Sequence, residues 1–67
     1  QKWRVRMLVS KKQVKEMVLY SYAHIDRLEA QGLFPKRVRL GQNRVGWVRS
    51  EVEDWIQVRI EQRDRSN

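Results

Sequence analysis

The sequence predicts an α+β fold, mainly helical, in which three short helices carry an antiparallel β wing of two strands, or of three if the N-terminal segment pairs with it. Three observations point there. Residues 10–19 and 21–31 are two capped amphipathic runs that meet at Leu19 and Tyr20, a connection short enough to turn one helix sharply against the next. Residues 36–48 alternate apolar and basic side chains on either side of Gly41-Gln42-Asn43, which is hairpin patterning. Residues 50–62 open on Ser50 and carry Val52, Trp55, Ile56 and Ile60, the spacing of a helix packed along one face.

At the N-terminus Trp3, Val5, Met7 and Val9 alternate with Lys2, Arg4, Arg6 and Leu8. This period-two signal gives either a half-buried strand added to the wing or a basic arm. Ser10 then opens the first helix, with Gln13 in capping-box position and Val9 with Val14 as a hydrophobic staple. Val14, Met17 and Val18 form its inward stripe. Lys11 and Lys12 in the first turn oppose the helix dipole. They are either exposed lysines that the fold tolerates or ligands for a phosphate docked at that N-terminus.

The second helix has Ser21 as N-cap and Tyr20 with Ile25 as staple. Gly32 can take the left-handed conformation that ends a helix, and Pro35 biases Phe34 toward extended geometry. Ile25 and Leu28 share the inward face. Ala23, Asp26, Arg27 and Ala30 look outward, flanked by Tyr22 and His24.

In the hairpin the arginines stand on the solvent face and at the tip. Gly46 in mid-strand marks a bulge or a close approach by another backbone, and Trp47 is either the aromatic plug of the core or a stacking platform for a base. In the third helix Ser50 with Glu53 makes a second capping-box pattern, and Arg59, Arg63 and Arg65 suit its C-terminal end. The polar tail 63–67 is expected to fray. Residues 1–67 thus form one domain with a core over about 8–62 and an arm or strand at 1–7.

The charge is segregated. Lys and Arg number 15 against 8 Asp and Glu, a net charge of +7, and the pI is near 10.6. Residues 1–12 (Lys2, Arg4, Arg6, Lys11, Lys12) and 36–49 (Lys36, Arg37, Arg39, Arg44, Arg49) are basic and free of acids, whereas 13–35 and 51–67 are slightly acidic. Two basic blocks in so small a domain are the electrostatic footprint of nucleic-acid binding. Other classes fit poorly. There is no cysteine and a single histidine, so neither disulfides, a zinc site nor an enzyme's acid and base are expected, and no cofactor. No apolar run approaches the span of a bilayer, so a cytoplasmic, nucleoid-associated protein is expected.

A short turn between two helices followed by a basic hairpin reads as a winged helix-turn-helix, with the helix 21–31 as the recognition helix in a DNA major groove. Arg27 is the first choice for a base contact, because its fork matches guanine O6 and N7. Tyr22, Ala23 and His24 complete the base-reading face with Asp26, which either accepts from a cytosine amino group or holds Arg27 in place. Ser10, Lys11, Lys12, Ser21, Lys36, Arg37, Arg39 and Arg44 are expected on phosphates, where they supply affinity and register without sequence information. The partner is double-stranded DNA, with pairing into a homodimer or cooperative side-by-side binding to supply more base readout than one subunit offers. Two other classes compete: a protein-interaction adaptor working through the third helix, and an RNA reader using Trp3 or Trp47.

The order Leu8-Val9-Ser10-Lys11-Lys12-Gln13-Val14, Ser21 to Leu28, Gly32-Leu33-Phe34-Pro35-Lys36-Arg37-Val38-Arg39-Leu40-Gly41, Arg44-Val45-Gly46-Trp47 and Ser50-Glu51-Val52-Glu53-Asp54-Trp55 resembles the AlpA family of phage and prophage transcriptional regulators. That family is related in fold to excisionases and to the DNA-binding part of MerR-type regulators. The resemblance covers roughly Met7 to Gln62 and implies a winged helix-turn-helix bound to promoter or attachment-site DNA, in a regulatory or an excisionase-like architectural role. The chain departs from the family pattern at Tyr22, His24 and Asp26. These positions lie on the reading face, so the resemblance carries over the class and not the target sequence.

Overall fold

The strand Arg44–Val48 is the piece on which the other elements assemble. In the computed structural model, which describes residues 6–66, the order is β1 (Leu8–Val9), α1 (Lys11–Val18), α2 (Tyr22–Ala30), β2 (Val38–Gly41), β3 (Arg44–Val48) and α3 (Arg49–Ser66). The sheet is antiparallel in the order β1-β3-β2, so β3 is central and α1 and α3 both pack on it. The fold is the expected winged helix-turn-helix, with the wing in its three-stranded form. Trp3 and Val5, on which part of the N-terminal strand expectation rested, lie outside the described residues. Within them the strand is short: Val9 is buried opposite Trp47, while Met7, expected on the inward face, is 67% exposed.

Both helices of the helix-turn-helix begin as their sequences dictate. Ser10 caps α1 in a full capping box, with Gln13 N–H donating to Ser10 Oγ and Ser10 N–H donating to Gln13 Oε1. The Ser21 hydroxyl accepts from His24 N–H at the start of α2. Their ends differ. Gly32 sits at φ 75° and closes α2 in a Schellman motif, Gly32 N–H donating to Glu29 O and Leu33 N–H to Leu28 O. α1 instead stops at Leu19, which takes φ 63° with its side chain 85% exposed. A leucine there is strained, and nothing in its residue type announces it.

The core is Val9, Val14, Ile25, Phe34, Trp47 and Val52, with Met17, Val18, Tyr20, Leu28, Val45, Trp55 and Ile56 packed around it. Trp47 is fully buried and its indole N–H donates to Pro35 O; Trp55 donates likewise to Leu33 O. The two tryptophans thereby pin residues 33–35, in the segment that connects α2 to the wing. Trp47 is core, not a stacking platform.

At the hairpin, Asn43 adopts φ 59° in the turn. The bulge is not at Gly46, which pairs with Val38, but nearer the turn on the other strand, where the register shifts between Arg39 and Gly41 of β2 opposite Val45 and Arg44. Gly46 serves the other purpose, close approach, since a Cβ there would stand 3.2 Å from Val9 O.

α3 departs from expectation at both ends. It starts at Arg49 directly from β3, so Ser50 lies inside the helix and no Ser50 capping box exists. The Arg49 N–H donates to Met7 O, extending the β1–β3 pairing into the first turn, and Arg49 pairs with Glu53. The sheet does the work of a cap. At the far end the helix runs on to Ser66, through the segment expected to fray. The apolar stripe ends sooner than the helix: Val52 is buried and Trp55 and Ile56 are half-buried, but Ile60 is 39% exposed.

Candidate nucleic-acid interface

Because Ile25 is buried and Leu28 packs on the core, α2 turns its opposite face to solvent. Tyr22, Ala23, Asp26, Arg27 and Ala30 are all exposed there. Arg27 Nη2 donates to His24 Nδ1 at 2.9 Å, and the His24 ring stands edge-on to Tyr20 with centroids 4.3 Å apart. His24 is therefore half-buried, and it orients Arg27 from behind.

Asp26 does not hold Arg27, which removes one of the two roles expected for it. Its carboxylate takes Lys11 Nζ at 2.9 Å and Arg37 Nη2 at 2.7 Å. These partners, Lys11 first and then Arg37, hold the Asp26 carboxyl below its ordinary range. Lys11 thus has its counter-charge supplied by the neighbouring helix, which accounts for a lysine placed against the helix dipole. Its ammonium also lies 5.4 Å from the Tyr22 ring centroid, with Lys15 at 5.6 Å, a cation–π arrangement.

Arg37 is the most heavily engaged cation of the interface. Its Nε and Nη2 donate to Glu29 Oε1 at 2.8 and 2.6 Å, its backbone N–H donates to Glu29 Oε2 at 2.8 Å, and its guanidinium lies 4.9 Å from the Trp47 ring. Burial pushes the Glu29 carboxyl up, but the Arg37 hydrogen bonds outweigh it and hold the group below its ordinary value. Sequence reasoning missed Glu29. The available signal was its spacing: Asp26 and Glu29 lie three apart on one helix face, poised for a cation arriving from the wing.

The remaining cations are arranged differently. Lys12, Lys36, Arg39 and Arg44 are exposed and make no ion pair or hydrogen bond among the described residues. Lys36 and Arg39 line a groove between α2 and the start of the wing together with Ala30, Gln31, Asp26, Glu29 and Arg37. Arg44 lines a separate surface recess with Ser10 and Leu40. The Ser10 and Ser21 oxygens accept from the caps described above, which leaves each hydroxyl hydrogen available as a donor. Among the described residues no group of His, Cys, Asp or Glu is placed to hold a metal ion, and no helix is long and apolar enough to cross a membrane.

A family model described as the prophage CP4-57 regulatory protein (AlpA) matches residues 7–60. The chain belongs to the AlpA family. None of the curated proteins compared with the chain matches it. AlpA is a family of prophage regulators, which makes this chain a regulatory protein whose partner, at that coarse level, is DNA. The match spans α1, α2 and the wing and runs well into α3, so every residue of the interface lies within it.

Proposed function

We propose that the protein is a sequence-specific double-stranded DNA-binding regulator and not an enzyme, acting at the nucleoid of a bacterial cytoplasm, with residues 1–67 working as one DNA-binding domain. α2 lies in the major groove and the wing from Lys36 to Val48 rests on the neighbouring backbone. The observation that carries this reading is the uncovered face of α2, where Ala23 and Ala30 leave room for base edges and Arg27 projects between them, held by His24. Tyr22 and His24 border that contact, and Asp26 contributes an acceptor toward a cytosine amino group. Lys12, Lys36, Arg39 and Arg44 grip phosphates, and the Ser10 and Ser21 hydroxyls donate to others.

The experiment is selection of a duplex from a random pool followed by binding measurements across salt concentrations. With Lys11 and Arg37 held by carboxylates, four of the six cations expected on phosphates, Lys12, Lys36, Arg39 and Arg44, keep their charge free of ion pairs among the described residues, so log K should fall with log salt at a slope of roughly −4. A slope near zero contradicts the phosphate contacts. Side-by-side copies on repeated sites would extend the limited readout of one subunit, and footprint length and periodicity on the selected DNA report that directly.

A second reading as a protein-interaction adaptor has one observation in its favour: Val58 and Ile60 of α3 are 49% and 39% exposed. An adaptor would retain its partner in the presence of competing duplex DNA. The architectural, excisionase-like variant of DNA binding differs in outcome rather than contact, and bending of the bound duplex identifies it.

A further inference from the structure

The Arg37 cluster joins three elements at one point. Lys11 reaches in from the first turn of α1, Asp26 and Glu29 from α2, and Arg37 from the residue before β2. Two cations meet two carboxylates, so the cluster carries no net charge to offer a phosphate. Glu29 keeps only 15% of its side chain exposed. Drawing Arg37 away toward DNA would leave that carboxylate partly desolvated and without its partner, which is strongly unfavourable.

The geometry is also specific to arginine. Nε and Nη2 converge on one carboxylate oxygen of Glu29 while the Arg37 backbone N–H takes the other, and the guanidinium carbon lies 4.9 Å from the Trp47 ring centroid. A lysine offers a point charge and no fork. The Arg37 backbone N–H bond, which any residue at this position can make, ties the main chain to Glu29 one residue before Val38, and the side-chain fork is what holds the Glu29 carboxylate in place to accept it.

We propose that Arg37 is a positioning residue: it locks the wing to the recognition helix at a set distance and angle, and sharpens DNA selectivity without contacting DNA. This rests on the DNA-binding reading above and assigns Arg37 a role opposite to the phosphate contact expected from the sequence. The lock is formed before DNA arrives, so a correctly spaced site meets α2 and the wing together, with no ordering cost left for the complex. Without the lock, the wing still supplies positive charge, and generic binding survives.

The test compares the wild type with Arg37→Lys, Arg37→Gln and Arg39→Gln on two duplexes, one recovered by selection from a random pool and one of scrambled sequence. Arg37→Lys lowers affinity for the selected duplex by about tenfold, the scale of one lost base contact, and leaves the scrambled duplex and its salt slope unchanged. Arg39→Gln weakens both duplexes and makes the slope shallower by about 0.9. The proposal is overturned if Arg37→Lys keeps wild-type selectivity, or if Arg37→Gln changes the slope as Arg39→Gln does. A measurement on the unaltered protein covers a variant that fails to fold: the Arg37 side-chain Nε–H resonance stays in place on titration with the selected duplex, while that of Arg39 moves. Movement of both in parallel overturns the positioning role. A wild type that binds neither duplex removes the DNA-binding reading itself, an outcome distinct from binding with selectivity that Arg37→Lys preserves.

Discussion

Arg27 and His24 face each other across one turn of α2, with Arg27 Nη2 donating to His24 Nδ1 at 2.9 Å. An arginine donates only, so the imidazole nitrogen must be the acceptor. The exposed guanidinium therefore has a preferred direction before any base is near. That separates the two residues functionally. Arg27→Ala is expected to reduce discrimination at one base pair by about 1–3 kcal/mol. His24→Ala is expected to act in the same direction but by less, since the arginine remains and only its orientation is lost. Binding to the selected duplex and its single-base variants measures both, and equal effects would contradict the division.

Phosphate contacts should behave in another way. Arg39→Ala and Arg44→Ala each remove an exposed cation without a partner among the described residues. Each is expected to weaken all duplexes alike and make the salt slope shallower by about 0.9. Lys11→Ala should show a smaller change in slope, because its charge is already matched by Asp26. Slopes from the three variants decide between these cases.

What the sequence told and what it withheld follow from the range of the interactions involved. Caps, the Gly32 stop and the inward stripes of α1 and α2 are local, and each was readable from residues three or four apart. The uncovered Ala23–Arg27 face follows from the burial of Ile25 on the opposite side of the same helix. The Arg37 cluster was not readable, because it joins residues 11, 26, 29 and 37 through the tertiary fold, and a basic wing residue gives no sign that it is already paired. The start of α3 was misread for the same reason. Ser50 looks like a cap locally, yet the helix starts a residue earlier, and the Met7 carbonyl just before β1, far away in the sequence, accepts from the Arg49 N–H.

The cluster makes stability depend on pH in a definite direction. Asp26 and Glu29 both titrate below their ordinary values in the folded protein. Their contribution is therefore fully present above the ordinary carboxylate range and is lost as pH falls through the lowered values. Urea denaturation should show wild type more stable than Glu29→Gln near neutral pH, with the difference closing in acid. A gap that persists undiminished at low pH would show that Glu29 contributes by packing rather than charge.

Leu19 offers a check on the turn between the helices. It holds φ 63° with little packing to lose, so Leu19→Gly should relieve strain and raise stability by up to about 1 kcal/mol. A lower urea midpoint would mean that the exposed leucine is retained for its contacts.

Gly46 is the reverse case. A methyl group there meets the Val9 carbonyl at 3.2 Å, and that oxygen belongs to a strand that also anchors the start of α3. Gly46→Ala is expected to lower the melting temperature by loosening β1, and amide exchange at Val9 and Arg49 should rise in parallel. Unchanged exchange at both would locate the cost elsewhere.

The placement of α2 in the major groove is tested most directly by dimethyl sulfate, which methylates guanine N7 from that groove. On the selected duplex the wild type should protect guanine N7 within the bound site, and Arg27→Ala should lose that protection while still binding. Guanines that stay as reactive as in free DNA under saturating protein, or protection that survives Arg27→Ala unaltered, would contradict the account.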